Sequence, residues 1–286
     1  MISEFLEFCK RNYNRDAECF DCKNNCPQTG DCEKCLDLVH FGNGDRKYNC
    51  INILNYYACK YLHKYSSEIG YVFNLNELSD LKEYNVLSIG CGPCTDFFGI
   101  SDLIETKKHN VQLNYLGIEL NEDWGFAHNW IKANSQHNYK ITYMDAYVLL
   151  KKPEKYLGEF RPNVIIINYL ISDLLKAGCD VLEFMNLLET NLFRTLSTST
   201  YIIINDYNRG LSANDPRTYY DQFETIISSN SKVRIAKCHF KHNIKRYHPY
   251  HYQHPQNEIL FPLMPIIHNF HPWNFCSSAQ LLIKKV

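Results

Sequence analysis

The chain has no apolar run long enough for a membrane span, which takes about 20 residues. The longest runs, Val164–Leu175 and Ile259–Ile267, are short and broken by Asn, Asp or Pro. No apolar segment follows the first residues, MISEFLEFCKRNY, where acids sit instead, so a secretory signal is not expected. Net charge is almost absent: 30 Lys and Arg against 31 Asp and Glu leave −1. That excludes a strongly cationic nucleic-acid coat but not a local basic patch. Repeats and low-complexity tracts are missing too. These absences predict a cytoplasmic protein with no membrane partner. What is present is ordinary for a globular chain: 286 residues, 45% hydrophobic, 21% charged. That allows one large domain or two small ones, with a core that needs no disulfides. An aromatic content of 14% rules out disorder throughout.

In a reducing compartment thirteen cysteines are not a disulfide framework. Eight of them fall before residue 60. Cys19, Cys22, Cys26, Cys32 and Cys35 form the dense part, with Cys-x2-Cys steps at both ends. Such steps let two thiolates grip one ion from a tight turn, and four thiolates complete a tetrahedral zinc site. Cys19, Cys22, Cys32 and Cys35 are the symmetric set; Cys26, His40 or Cys50 are substitutes. The spacing does not exclude an iron–sulfur cluster. Residues 1–47 therefore read as a cysteine-rich metal-binding module, loop-rich over 9–47. Its basic residues are interleaved with acids, so its phosphate-binding signal is modest; a protein or nucleic-acid partner and a stapled cap on the rest of the chain are the two readings.

Residues 48–72 carry Ile51, Leu54, Tyr57, Ala58, Tyr61, Leu62, Tyr65 and Ile69 at spacings of three and four. That predicts a long amphipathic helix, bridging to the remainder within 48–78. From residue 85 strands and helices alternate. Strands are expected at 85–89, 112–119, 140–144, 163–168, 201–205, 232–239 and 279–286, with helices at 93–107, 122–134 and 180–196. NVIIIN and YIIIN are β-branched runs of the kind buried on both faces of a sheet. The expectation is an α/β domain over 79–286, doubly wound on a mostly parallel seven-stranded sheet.

The segment VLSIGCGPCTDFF runs from a strand through Gly90, Cys91, Gly92, Pro93 and Cys94 straight into a helix. Gly90 permits the sharp turn, Gly92 lets a ligand approach the backbone, and the helix N-terminus supplies free N–H groups. Glu119 ends the second strand, where a carboxylate can accept both hydroxyls of a ribose. Asp145 ends the third, beside an adenine position. Polar markers at the carboxyl ends of successive strands point to a nucleotide-type cofactor.

With these motifs the chain resembles the class I S-adenosylmethionine-dependent methyltransferases. IGCGPCTD resembles that family's first motif, Glu119 its second and MDA its third, and the last two strands resemble its terminal antiparallel pair. The resemblance covers roughly 80–286. It implies S-adenosyl-L-methionine held by Gly90, Cys91, Gly92, Cys94, Glu119, Leu120, Asp145, Ala146 and Asn168. It places Asn168 and Tyr169 beside the methyl group as candidate catalytic residues. Departures are Ser88, where the family often has an acid, Cys94 at the third glycine position, and no Pro-Pro after Asn168. Ser88 and Cys94 leave room for a non-catalytic binding or assembly protein on the same fold. An NAD-dependent oxidoreductase fits less well, because it wants the third glycine and a ribose acid about 20 residues on.

Residues 239–275 hold seven histidines among Tyr, Phe and Pro. In the resembled fold such an insertion overhangs the acceptor pocket. Lys237, Lys241, Lys245 and Arg246 interleaved with Tyr247, Tyr250 and Tyr252 suit RNA or a nucleoprotein as acceptor. His248, His251 and His254 could form a second metal site. An aromatic lid with neutral histidines as hydrogen-bond partners is the other reading.

Overall fold

The computed structural model describes residues 1–13, 31–41, 47–75, 78, 81–107, 111–208, 215–241 and 250–286. Its eight strands are β1 Glu83–Ile89, β2 Gln112–Glu119, β3 Asn138–Tyr143, β4 Val164–Asn168, β5 Tyr201–Tyr207, β6 Val233–His239, β7 Tyr252–Gln253 and β8 Ser278–Lys285. They form one sheet in the order β3-β2-β1-β4-β5-β8-β6-β7. β1 to β5 run parallel, and β8 lies antiparallel between β5 and β6. This is the mostly parallel α/β architecture expected, with one strand more than the seven foreseen. The extra strand is only two residues long and pairs with Cys238 and His239 from within an irregular segment.

The β-branched strands show why the sheet is buried on both sides. Side chains alternate along a strand. Val164 and Ile166 of β4, with Tyr201 and Ile203 of β5, enter one core, while Ile165, Ile167, Ile202 and Ile204 enter the other. Helices α4 Thr95–Lys107 and α5 Gly125–Asn134 cover the first face. On the second lie α6 Ala146–Lys151, α7 Pro153–Leu157, α8 Leu170–Lys176, α9 Val181–Leu187 and α10 Pro216–Asn230. The helix expected over 180–196 begins with Asp180 accepting from Glu183 N, then loosens after Leu187 into a π turn and a 3-10 turn. Helix α10 is opened by Asp215, which accepts from Arg217 N and holds the Arg217 guanidinium at 2.7 Å.

Before β1 come α1 Ile2–Asn12, α2 Cys32–Phe41 and α3 Ile51–Leu75. Phe5 of α1 stacks on Phe98 of α4 at 4.8 Å and tilts against Trp130 of α5 at 5.1 Å, so α1 belongs to the first core. The cysteine-rich stretch is not all loop: Cys32, Cys35 and Leu36 bury one side of α2. Helix α3 lies where the long helix was expected but is not amphipathic in the simple sense. It is sheathed by α1 and α2 and by a 3-10 turn at Pro265–Phe270, and it packs on α4. Lys60, His63, Lys64, Ser66, Ser67 and Glu68 are consequently buried with its apolar residues. Among the described residues no helix is long and apolar enough to cross a membrane.

The described part of 239–275 straps α3. Ser67 Oγ accepts from Leu260 N at 2.8 Å, Tyr71 Oη donates to Glu258 O at 2.8 Å, and Trp273 N donates to Lys60 O at 2.9 Å. His254 stacks on Phe240 at 4.1 Å and pairs with Gln280, and His239 pairs with the Tyr250 backbone. Burial lowers the pKa of both imidazoles, which favours neutral hydrogen-bond partners. His248, with Lys245, Arg246 and Tyr247, lies outside the described residues, and His251 is exposed.

Candidate functional site

The turn after β1 is held by the neighbouring strand: Gly90 N and Cys91 N both donate to Ile118 O, at 2.8 and 3.1 Å. Three of its residues are left-handed, with φ of +69° at Gly90, +50° at Gly92 and +58° at Cys94. The two glycines do different jobs. A Cβ on Gly90 would sit 2.7 Å from Leu170 Cδ1, whereas a Cβ on Gly92 would meet nothing within 4 Å. Gly90 therefore allows close packing, and Gly92 keeps open space beside its backbone. Gly90→Ala is expected to cost about 1–2 kcal/mol, from the left-handed backbone of a residue with a Cβ. Urea unfolding measures it. Leu170→Ala in the same chain should relieve the contact but leave the backbone cost.

A cavity of about 310 Å³ opens at this turn. It lies at the carboxyl ends of β1 to β4, where the strand order reverses between β1 and β4. In open α/β sheets that crevice is where ligands bind. Gly90, Cys91, Gly92, Glu119, Leu120, Asp145, Ala146, Asn168 and Tyr169 all line it, so the sequence-derived site residues converge with one exception. Cys94 is not on the wall; it is fully buried, with its sulfur 3.3 Å from Tyr139 Oη.

Glu119 is 8% exposed. Its Oε2 accepts from Gly92 N at 2.7 Å and its Oε1 from Asn121 N at 2.8 Å. Burial raises its pKa, and the two N–H groups work against that. A carboxylate oxygen has two acceptor sites, so each keeps one for a ligand. Asp145 caps α6, its Oδ1 accepting from Tyr147 N and Val148 N at 2.7 and 3.2 Å. Behind the turn, His128 Nε2 sits 2.7 Å from Gly92 O and Nδ1 2.8 Å from Tyr143 Oη. Gly92 O can only accept, so Nε2 carries the proton. Burial lowers the His128 pKa, but the Cys94 sulfur and the Gly92 carbonyl raise it by more.

Asn168 is fixed from two sides, donating to Thr95 Oγ1 at 3.1 Å and accepting from Asn205 at 2.8 Å. Tyr169 adopts a left-handed backbone and lays its ring 4.0 Å from that of Tyr65. Its hydroxyl turns away into the protein: it donates to Glu68 Oε2 at 2.9 Å and accepts from Lys64 Nζ. Burial, and next the Glu68 charge, hold this phenol well above its ordinary pKa. Tyr169 therefore contributes a ring to the cavity, with its hydroxyl already committed.

Sequence reasoning missed the rest of the wall. Tyr57 and Tyr65 of α3, Tyr48 just before it and Trp124 after β2 line the same cavity. Tyr57, Tyr61 and Tyr65 form an i, i+4 ladder with rings 5.1 and 5.3 Å apart, and Trp124 lies 5.4 Å from Tyr57. The ladder was visible as spacing, but a tyrosine row at helical spacing reads equally well as core. Two expectations for the histidine-rich segment find no support among the described residues. Among the described residues, none between 239 and 275 lines the cavity. Lys237, expected near an acceptor, is bound by Asp221 at 2.7 Å and by Glu224. In the cysteine-rich module, Cys19, Cys22 and Cys26 lie outside the described residues, while Cys32 and Cys35 sit one turn apart and buried at the start of α2.

No protein-family model and no curated protein matches the sequence. Solved structures do match in shape. A putative class I S-adenosylmethionine-dependent methyltransferase from Listeria monocytogenes is 12% identical, with 79% of this chain and 62% of that one covered and a TM-score of 0.44. The 16S rRNA methyltransferase RmtF, solved with S-adenosyl-L-homocysteine, is 11% identical, with 91% and 77% covered and a TM-score of 0.45. The 16S rRNA methylase ArmA is 10% identical, with 89% and 98% covered and a TM-score of 0.44. The chain thus spans under two thirds of the Listeria protein, and at these identities the likeness is one of fold.

Proposed function

We propose that the cavity holds S-adenosyl-L-methionine and that the protein is a methyltransferase. The observation that carries this reading is Glu119, bonded across the crevice to Gly92 N–H where a Cβ would find only open space. The residues fit the cofactor's chemistry. The backbone from Gly90 to Gly92 offers polar groups for its amino-acid end, Glu119 keeps acceptor sites for ribose hydroxyls, and Leu120, Asp145 and Ala146 flank the place for a base. When bound, the cofactor supplies an electrophilic methyl group on a sulfonium. The chain's own contribution is alignment and exclusion of water. Thr95 and Asn205 hold Asn168 in place, and the committed Tyr169 hydroxyl leaves its ring as a wall.

The wall of Tyr48, Tyr57, Tyr65, Trp124 and Tyr169 supports a planar acceptor, and we assign it a nucleobase, in RNA or a nucleoprotein. A second reading is a non-catalytic binding protein, and the committed Tyr169 hydroxyl favours it where an acceptor must lose a proton of high pKa. For the N-terminal module we propose a structural zinc site from four of Cys19, Cys22, Cys26, Cys32 and Cys35, with an iron–sulfur cluster distinguished by its visible absorption, and a protein partner docking there. Calorimetric titration with S-adenosylmethionine, S-adenosylhomocysteine and NAD tests the cofactor. Micromolar binding of the first two, and none of NAD, is expected. If neither of the first two binds, the methyltransferase reading is wrong. Methyl transfer to RNA separates the enzyme from the binding protein.

A further inference from the structure

We propose that Cys91, Cys94 and His128 form a zinc site behind the glycine turn, separate from the N-terminal cysteines. Three observations converge on it. The two sulfurs and a ring nitrogen of His128 all lie within 4.8 Å of one another, and all three residues are buried. Thiolates bound to zinc at about 2.3 Å, with imidazole at about 2.0 Å, put tetrahedral ligand atoms about 3.5–3.8 Å apart, so the three side chains must close in on the ion and His128 must leave Gly92 O. The second observation is chemical. Two thiols and an imidazole are the soft and borderline donors that select zinc over calcium or magnesium. The third is the support around them. Gly92 O lies 2.7 Å from His128 Nε2 and 3.9 Å from Cys94 Sγ, so nitrogen and sulfur face the same carbonyl. Tyr143 Oη, 2.8 Å from Nδ1, is placed to accept its proton when Nε2 becomes the ligand, the outer-shell contact that orients a metal-bound imidazole.

The site also accounts for the departure at Cys94, where the resembled motif has its third glycine. Cys91 and Cys94 frame Gly92 and Pro93 as a Cys-x2-Cys step ahead of α4. The φ of +58° at Cys94 is uncommon for a residue with a side chain and is held here although glycine would adopt it freely. Tyr139 Oη, 3.3 Å from Cys94 Sγ, or a water is placed for the fourth position. Binding balances simply. Zinc(II) forms two zinc–sulfur bonds and one zinc–nitrogen bond, the two thiol protons leave to solvent, and the Nε2 proton is exchanged for one on Nδ1. Nothing is oxidised or reduced. Two thiolates neutralise the dication, so the buried site carries no net charge. Releasing His128 from Gly92 O also ties zinc occupancy to the turn that borders the cofactor cavity.

The test is cobalt(II) and zinc titration of the reduced full-length protein, with metal per chain measured by elemental analysis. Wild type is expected to show the intense visible bands of tetrahedral cobalt bound to thiolate. Cys94→Ser and, independently, His128→Asn should each lose one metal equivalent relative to wild type, whereas Cys32→Ser should leave that equivalent in place. Far-ultraviolet circular dichroism verifies that each variant is folded, and His128→Asn serves if Cys94→Ser is not. An unchanged metal count in both variants overturns the proposal. So does a metal-free wild type, and a peptide from it that carries Cys91 and Cys94 joined by a disulfide after mild peroxide treatment would make the pair a disulfide instead. The metal count is read without cofactor, so S-adenosylhomocysteine binding can fail while the zinc site stands, and the reverse.

Discussion

Glu68→Ala is expected to lower the unfolding free energy by about 3–5 kcal/mol, the usual consequence of removing one partner from a buried ion pair. Glu68 is 0% exposed and Lys64, one turn earlier on α3, is 2% exposed. The carboxylate is saturated. Oε1 accepts from Ser277 N at 2.8 Å and Ser278 N at 3.2 Å, with Lys64 Nζ at 3.2 Å. Oε2 accepts from Tyr169 Oη at 2.9 Å and Asn205 Nδ2 at 3.0 Å. Glu68 thereby ties α3 to the ends of β4, β5 and β8 at once. Its removal strands a buried ammonium among the rings of Tyr65, Tyr169 and Trp273, 4.6 to 5.7 Å away, and takes the acceptor from the N–H groups of Ser277 and Ser278. Rings attract a cation but do not replace a carboxylate. The double variant Lys64→Met with Glu68→Gln removes both charges and keeps a hydrogen-bonding group. It should be more stable than the sum of its single variants by about 0.5–3 kcal/mol. Urea unfolding of the four chains reads the coupling. A Glu68→Ala loss under about 0.5 kcal/mol, the range of an ordinary surface change, would mean that the network holds nothing together.

That network was the least legible part of the chain, for a physical reason. Periodicity reports the apolar face of a helix and says nothing of polar residues on the other faces when those are buried too. Lys64 and Glu68 drew no reading from the sequence, because their partners Tyr169, Asn205 and Ser278 lie more than a hundred residues away. The reverse holds for the sheet. VIIIN and YIIIN carry their burial on both faces in their own composition, and Gln112–Glu119 was readable to the residue. The turn after β1 was legible because glycine leaves a backbone signature, and Glu119 because it is a charge closing an apolar strand. Tyr57 and Tyr65 were visible as spacing, but only the fold decides that part of their row faces a cavity. Helix α10 was missed although Asp215-Pro216 is a start signal, since its apolar face is thin: Tyr220, Phe223 and Ile227. The two-residue β7 depends wholly on β6 being there to pair with.

Glu119→Ala should weaken S-adenosylhomocysteine binding roughly 100-fold or more, because two charge-assisted hydrogen bonds to ribose hydroxyls contribute about 3 kcal/mol together at the low end. Its effect on folding should be smaller. The N–H groups of Gly92 and Asn121 lose their acceptor, but they border a cavity where water can take its place. The substitution also ends the desolvation of a carboxylate whose burial already raises its pKa. Affinity and stability should therefore separate in this variant, whereas in Glu68→Ala stability falls first. Glu119→Gln sharpens the comparison. Its amide oxygen can accept one backbone N–H, but its NH2 group meets the other donor to donor. Binding should fall less far than in Glu119→Ala, since the amide oxygen keeps an acceptor site for one hydroxyl, with a larger drop in stability because the donor clash is internal. Calorimetry with the three proteins, beside thermal unfolding without ligand, gives both quantities. Affinity within about threefold of wild type in Glu119→Ala, less than 1 kcal/mol, would reduce Glu119 to a fastener of the turn. The ribose would then have to be read elsewhere on the wall, with Asn121 and Asp145 the remaining polar candidates beside it.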